Sequence, residues 1–551
     1  MDDSAGLDDR IEKLNTIGIA LSAEKDTARL LERILVEAKN ITGADGGTLY
    51  LVSEDQQLQF EIIHTDSLNI NMGGRHGEPI SLSPIPLYTE DGHANESLVV
   101  SYCVHHRESV NIEDVYQVFG FDFSGPRAFD EKMGYRTMSA LTIPMQNHDN
   151  DVIGVLQLIN KEDDWTQEII PFSSQDQQLA ESLASQAAVA LTNKRLLDDL
   201  KTLFEAFIKL IASAIDEKSP YTGKHCRRVP VLTMMLAEAA HKAEQGALKH
   251  FALTDEDRYA LEVASWLHDC GKVTTPEYIV DKATKLETIY DRIGLIDTRF
   301  EVLKRDAEIR KLRQMVKLHE LGKINEGVVH QLEERYLNEL GQIEEEREFI
   351  RDVNIGAEFM SDADKQRVQQ IAARNWRDPD NDVMPFLSRE EVYNLCINRG
   401  TLNAEERDMI NHHITMSIDM LNALPFPKHL KQVPEFAGGH HERMDGKGYP
   451  KGLKREQLSV PARTMAIADI FEALTAKDRP YKEPKKLSEA LQILGRMKQE
   501  QHIDPDLFDV FIEQGIYLDY AREFLMPFQI DIEHPQQIPG YPFKIVLDKA
   551  G

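Results

Sequence analysis

The sequence has 551 residues, 42% hydrophobic and 28% charged, and 63 Lys+Arg against 93 Asp+Glu leave a formal net charge of −30. This composition excludes a disordered chain, and so acidic a body suits neither wrapping a nucleic-acid polymer nor docking on an anionic membrane. No apolar run approaches the roughly 18 residues of a membrane span, no apolar signal core opens the chain, and four scattered cysteines (Cys103, Cys226, Cys270, Cys396) make neither a disulfide framework nor a thiolate metal site, so the protein reads as cytoplasmic.

Leu30, Leu31, Ile34, Leu35 and Ala38 recur at helical intervals, and Gly43 to Gly47 break that helix. Strand-like runs follow at 48–52, 58–63, 138–144 and 152–159, with polar, Gly-rich stretches between them. Helix, strands, helix predicts an α+β domain with one antiparallel sheet and flanking helices over residues 8–178. The run from Gly154 to Lys161 (GVLQLINK) resembles the late strand of a GAF sensor domain. Asn160-Lys161, then Phe172 and Asp176, also resemble a motif of nucleotide-binding GAF domains, with Gln177 where that motif has Glu. These residues are either part of a ligand site or a plain sheet end and helix cap.

Residues 179–214 predict a long connecting helix. Leu183, Ala190, Leu197, Phe204 and Ile211 stand seven apart, with Leu179, Gln186, Asn193, Leu200, Phe207 and Ala214 in the complementary positions. Such a seam joins two chains in a parallel coiled coil, and therefore a homodimer, or packs on its own sheet. Residues 215–530 are mainly helical, with a charged insertion at about 286–400. In it, Ile289, Ile293, Ile296, Phe300, Leu303 and Ala307 step by fours and threes, Gly322, Asn325 and Gly327 mark a turn, and Val328, Leu332, Tyr336 and Leu340 continue a second arm. These predict a projecting helical hairpin. Trp376 to Pro385 reads as a loop, and 531–551 as a tail.

Histidines and carboxylates cluster in the last region: His225, His268-Asp269, His412-His413, His440-His441 and Asp469. Imidazole and carboxylate without thiolate suit Fe, Mn and similar divalent ions. An Asp ending an apolar helix, as Asp269 does after Leu261–Leu267, needs a partner or a metal. Two adjacent pairs with further His and Asp in helical contexts could enclose two metals, and paired metals activate water and neutralise a phosphoryl group. The residues alone thus point to a metal-dependent phosphohydrolase.

His268-Asp269 with Gly271-Lys272, then His440-His441-Glu442, Arg443, Asp445-Gly446 and Gly448-Tyr449-Pro450, resemble the HD-GYP branch of the HD phosphohydrolases. Ala468-Asp469 with Ala473-Leu474-Thr475 and Arg479-Pro480-Tyr481 extend the likeness. The resemblance implies an all-α catalytic domain and a phosphodiesterase that linearises cyclic dinucleotides. Cyclic di-GMP comes first and 3',3'-cyclic GMP-AMP second, with onward cleavage to mononucleotide left open. It implies two divalent metals, Fe or Mn. Asp269 would bridge them, with His225, His268 and Asp469 on one and His413, His440 and His441 on the other. Lys272 would face the scissile phosphate, and Arg479 and Lys482 would contact substrate. The loop of Arg443, Asp445, Gly446, Gly448, Tyr449 and Pro450 would orient His440 and His441 or meet a partner such as a diguanylate cyclase. Some members hold a third metal through a Glu that is Tyr221 here, although Asp216 or Glu217 could reach in. The family's spacing from Leu402, Asn403, Glu405 and Glu406 selects His413 over His412. The insertion gates the site, meets the sensor or serves as a dimer arm. The alternatives are a low-activity protein that binds the cyclic dinucleotide or a partner, and an HD hydrolase of ordinary nucleotides.

Overall fold

The structure is a computed structural model, and it describes residues 14–24, 26–163, 165–218, 224–356, 359–378, 380, 382–476, 484–532 and 538–541. The chain divides into two compact units, Met1–Phe204 and Glu205–Gly551.

The first unit runs α1 (14–23), α2 (Thr27–Thr42), β1 (Ala44–Val52), β2 (Gln57–Thr65), β3 (Ile70–Gly73), β4 (Ile85–Pro86), α3 (Val99–His106), β5 (Val110–Ile112), α4 (Ser124–Met133), β6 (Ala140–Gln146), β7 (Val152–Glu162), β8 (Ile169–Ile170) and the start of α5 (Ser174–Lys218). The strands form one antiparallel sheet in the order β3-β2-β1-β7-β6-β5, with β4 beside β2 and β8 beside β7. Leu31, Ile34 and Leu35 of α2 and Leu183, Ala184 and Ala187 of α5 bury one face against Leu49, Leu141, Leu156 and Leu158. Glycine lets α2 come close: a Cβ on Gly47 would lie 2.8 Å from Leu35 and 2.9 Å from the Gln157 carbonyl. The other face meets α3 through Tyr50, Leu58, Val100, Cys103 and Val155.

The four strands read from the sequence are present; three are longer than read, and the one expected at 138–144 lies two residues later, at Ala140–Gln146, with the same length. The strands β3, β4, β5 and β8 span two to four residues, too short for alternation to show. The Asn160 to Asp176 set is tied into the protein. Lys161 pairs with Asp176, which also accepts from Ser173. The Asn160 amide bonds Met138 and Arg136, and Phe172 lies in the core.

The second unit begins in the last part of α5 and continues α6 (His225–His241), α7 (Asp255–Leu267), a 3-10 turn (Cys270–Thr274), α8 (Glu277–Val280), α9 (Ile293–Glu320), α10 (Glu326–Ile355), α11 (Asp362–Ala372), β9 (Asn375–Arg377), β10 (Val383–Pro385), α12 (Arg389–Leu395), α13 (Ala404–Ala423), α14 (Val433–Gly438), α15 (Val460–Thr475), α16 (Leu487–Gln499), α17 (Pro505–Glu513) and α18 (Ile516–Phe524). Leu232, Leu236, Ile467, Phe471, Leu491, Leu494, Phe508, Phe511 and Tyr520 form its main core.

The insertion has a core of its own: Leu286, Ile296, Phe300, Leu303, Ile343, Ile350, Val368, Phe386 and Leu395. The expected hairpin is α9 and α10, turning at Gly322 with Asn325 capping α10. Two details differ. Ile289 precedes α9 and is exposed, so the buried stripe begins at Ile296. The stretch from Trp376 to Pro385 is not a plain loop, because its ends pair as the short hairpin β9–β10, Trp376 opposite Met384. A polar turn between two three-residue strands hid that pairing. Among the described residues, no helix is long and apolar enough to cross a membrane.

Candidate metal centre

Six segments converge in the second unit. Lys224, in the left-handed conformation, leads into α6, whose first residue is His225. A Thr254 capping box starts α7, which ends on His268. Asp269 opens the 3-10 turn that carries Lys272. An Asn403–Glu406 capping box starts α13, which bears His413 on its buried face, while His412 is exposed. His440 and His441 follow α14, and Asp469 lies on α15.

Among the described residues, three groups hold ligand-capable atoms within 4.8 Å of one another: His225, His268 and Asp469; His413, His440 and His441; and His268, Asp269 and His440. Asp269 stands between the first two. Its Oδ2 is 3.4 Å from His225 Nε2 and 3.1 Å from His268 Nε2. Its Oδ1 is 3.2 Å from His413 Nε2. Asp469 Oδ1 is 3.2 Å from His225 Nε2.

One device orients three of the imidazoles. Nδ1 of His268, His413 and His440 each donates to the carbonyl three residues back, of Ser265, Ile410 and Ala437. That donation leaves each Nε2 lone pair facing the cluster. His225 gets the same orientation from Glu472, which Arg228 holds in turn at 2.6 Å. The His441 ring stacks on Tyr449, centroids 4.9 Å apart.

Protonation follows from these neighbours. Burial opposes charge on Asp269, but Lys272 and His268 keep its carboxyl well below the usual range. Burial works against Asp469 too, and His225 outweighs it. Glu472, despite burial, is held at about 2 by His225. Burial, helped by His268, pushes His440 down to about 4, so it is neutral at pH 7. His441 is lowered by burial and by His440. Burial also opposes the Lys272 ammonium, yet Asp269, 2.6 Å away, raises its pKa.

The donor set fits divalent metal. Asp269 Oδ1, His413 Nε2 and His440 Nε2 are buried without hydrogen-bond partners. An unsatisfied buried polar atom costs about 1–3 kcal/mol. Three of them converging among imidazoles and carboxylates leave a cation as their natural partner.

Two glycine contacts shape the surroundings. A Cβ on Gly271 would lie 2.0 Å from the His413 carbonyl, so the turn bearing Lys272 lies directly on α13; there the Gly271 amide donates to Ser417 at 2.8 Å. A Cβ on Gly448 would lie 2.4 Å from the Arg443 amide. The far end of this loop is braced by Glu442, which accepts from the amides of Lys451 and Leu453. Arg443 clamps Asp445, and Gly446 takes φ of 78°.

Sequence reasoning brought forward the seven candidate ligands and missed their supports. Glu472 carried a signal, one helical turn after Asp469 on α15. Glu442 directly follows the His pair. Asp216, considered for a third metal, accepts from the amides of Lys224 and Cys226 on either side of His225, and Glu217 is exposed. Tyr221, Arg479 and Lys482, with Pro480 and Tyr481, lie outside the described residues.

Residues 26–191 match the GAF domain family and residues 389–507 an HD domain family. The latter match takes in His413, His440, His441 and Asp469; His225, His268 and Asp269 join them by geometry. Among curated proteins, the 3'3'-cGAMP-specific phosphodiesterase 1 of Vibrio cholerae is 39% identical over 116 residues, 21% of this chain and 26% of that protein. The cyclic di-GMP phosphodiesterase of Thermotoga maritima is 34% identical over 131 residues, 23% of this chain and 35% of that protein. A cyclic di-GMP phosphodiesterase of Pseudomonas aeruginosa is 44% identical over 79 residues, 14% and 18% respectively. The chain thus spans well under half the length of these relatives.

Proposed function

From a chain that carries a GAF domain followed by a helical region with an HD domain, we propose a metal-dependent phosphodiesterase that opens a cyclic dinucleotide to its linear form under GAF control. Cyclic di-GMP is the first candidate substrate and 3',3'-cyclic GMP-AMP the second; relatives are named for each of these two substrates. The observation that carries the reading is the convergence of buried, unpartnered donor atoms on Asp269, His413 and His440.

His225, His268 and Asp469 would hold one divalent ion and His413, His440 and His441 a second, with Asp269 shared between them. Iron or manganese suits this nitrogen and oxygen set. When bound, the ions supply a water of depressed pKa and neutralise charge on the phosphoryl group. The chain's own residues do the rest. Glu472 and the three helix carbonyls keep the imidazoles aimed. Lys272, anchored by Asp269 and partly open to solvent, donates to the phosphate oxygen on which charge builds. Arg479 and Lys482 are candidates for gripping the substrate's phosphate or base. The complete donor set favours hydrolysis over a purely binding role.

Leu197, Leu200, Phe207 and Ile211 of α5 are exposed at heptad positions, which supports pairing with a second copy; Leu200→Glu should halve the mass in sedimentation. A small molecule would occupy the GAF domain, a diguanylate cyclase could dock on the 446–450 loop, and free cysteines suit the cytoplasm.

The test is anaerobic loading with Fe(II) or Mn(II), metal analysis, and chromatography of both cyclic dinucleotides after incubation. Linear dinucleotide should appear. No turnover at full metal loading overturns the reading.

A further inference from the structure

The last turn of α5 ends in a three-pronged contact. The Lys218 ammonium donates to the main-chain carbonyls of Lys272 at 3.0 Å, Val273 at 2.6 Å and Thr275 at 2.6 Å. These carbonyls close the 3-10 turn on which Lys272 sits. A turn's end gathers carbonyl dipoles and leaves them short of donors, so a cation with three N–H groups is their matched cap.

The same turn is held on its other side by α13, through Gly271 against His413 and Ser417. The Lys272 backbone is therefore clasped between a rigid packed face and one side chain. α13 meets it by close packing that admits no Cβ. Lys218 meets it by polar bonds alone, and the Val273 carbonyl borders solvent. Water can replace those bonds without unfolding the region, but water cannot fix the direction in which the turn points.

We propose that Lys218 is a positioning residue for Lys272. It holds the carbonyls at 272, 273 and 275, fixes the backbone from which Lys272 projects, and so makes the last turn of the connecting helix bear directly on the phosphate-facing group. Asp216, one residue pair earlier, braces the amides flanking His225 from the same turn, so displacement of this end of α5 is felt at two points of the site. The proposal rests on the role given to Lys272 above.

The test compares full-length Lys218→Met, which keeps the stem and loses the donors, with Lys218→Arg, which restores them. In Lys218→Met, kcat should fall by roughly tenfold to a hundredfold, the scale of a misplaced reacting group. KM, bound metal and Tm (within about 2 °C) should stay at wild-type values. Lys218→Arg should recover most of the loss. Hydrogen exchange gives a readout independent of turnover: amides at 272–275 should exchange several-fold faster in Lys218→Met, with and without metal. Unchanged exchange in Lys218→Met overturns the proposal. So does a loss of kcat accompanied by loss of metal or of fold, which marks a structural role. If the wild type itself turns over no cyclic dinucleotide, the functional reading has failed, and the exchange result still decides whether Lys218 holds the turn.

Discussion

Around His268 the second unit buries its charge, whereas along α9 and α10 it displays it. Asp269 and the imidazoles of His225, His268, His413 and His440 form one connected cluster, with Glu472 behind His225, mostly sealed from water. On the hairpin, Asp297 meets Arg347 at 3.0 Å and Arg351 at 2.9 Å, Lys311 meets Glu333 at 2.9 Å, and Arg310 meets Glu339, all with partial solvent access. The first arrangement is costly and each member depends on the others, because an uncompensated buried charge is far more expensive than an exposed one. The second is tolerant, since exposed pairs contribute about 0–1 kcal/mol each. The same residue types therefore mark a site in one region and a solvated face in the other, and burial tells them apart.

Substitutions should grade along this contrast. Asp269→Ala removes the group facing both halves of the cluster. Turnover should fall below detection and metal analysis should show loss of bound ion; full metal retention with activity would contradict the shared role of Asp269. Gly271→Ala forces a methyl into the His413 carbonyl. It should cost about 1–3 kcal/mol or more in chemical denaturation and weaken metal retention with it. Glu472→Gln keeps the shape but weakens the hold on His225, so titration should show about 10–100-fold lower metal affinity.

Asp297→Asn in the hairpin should change stability by no more than about 1 kcal/mol and leave turnover untouched. The hairpin region's acid response follows from Glu391. Burial opposes its charge, but Arg299 lowers its pKa below the ordinary glutamate value. A lowered folded-state pKa stabilises fully above the unfolded value of about 4.3 and is lost as pH falls through the folded one. Circular dichroism should therefore show this contribution fading only below about pH 4.

The candidate ligands were legible because they arrive as neighbours, His268 with Asp269 and His440 with His441, inside a recognisable order of residues. His413 was separable from His412 by spacing, and exposure agrees with that choice. The supports were not legible. Nothing local links Lys218 to the carbonyls at 272–275, and Asp216 reads as one more acid in a helix end. In the first unit, the long strands showed their apolar content, whereas β3 and β8 depend on partners from elsewhere in the sheet. Ile289 fitted a helical interval and still fell outside the helix, because periodicity cannot say where the backbone first turns.

The insertion also has a seam. Thr401 donates its hydroxyl to the Lys282 carbonyl at 3.0 Å, across 119 positions of sequence, and the Lys282 ammonium is buried on Glu406 at the start of α13. The excursion between them leaves and re-enters at one point. Closing a loop costs entropy that grows only with the logarithm of its length, so a long detour pinned at its neck taxes the parent fold little more than a short one. The chain between Lys282 and Thr401 could therefore have changed length and content freely while His268 and His413 kept their places across the join.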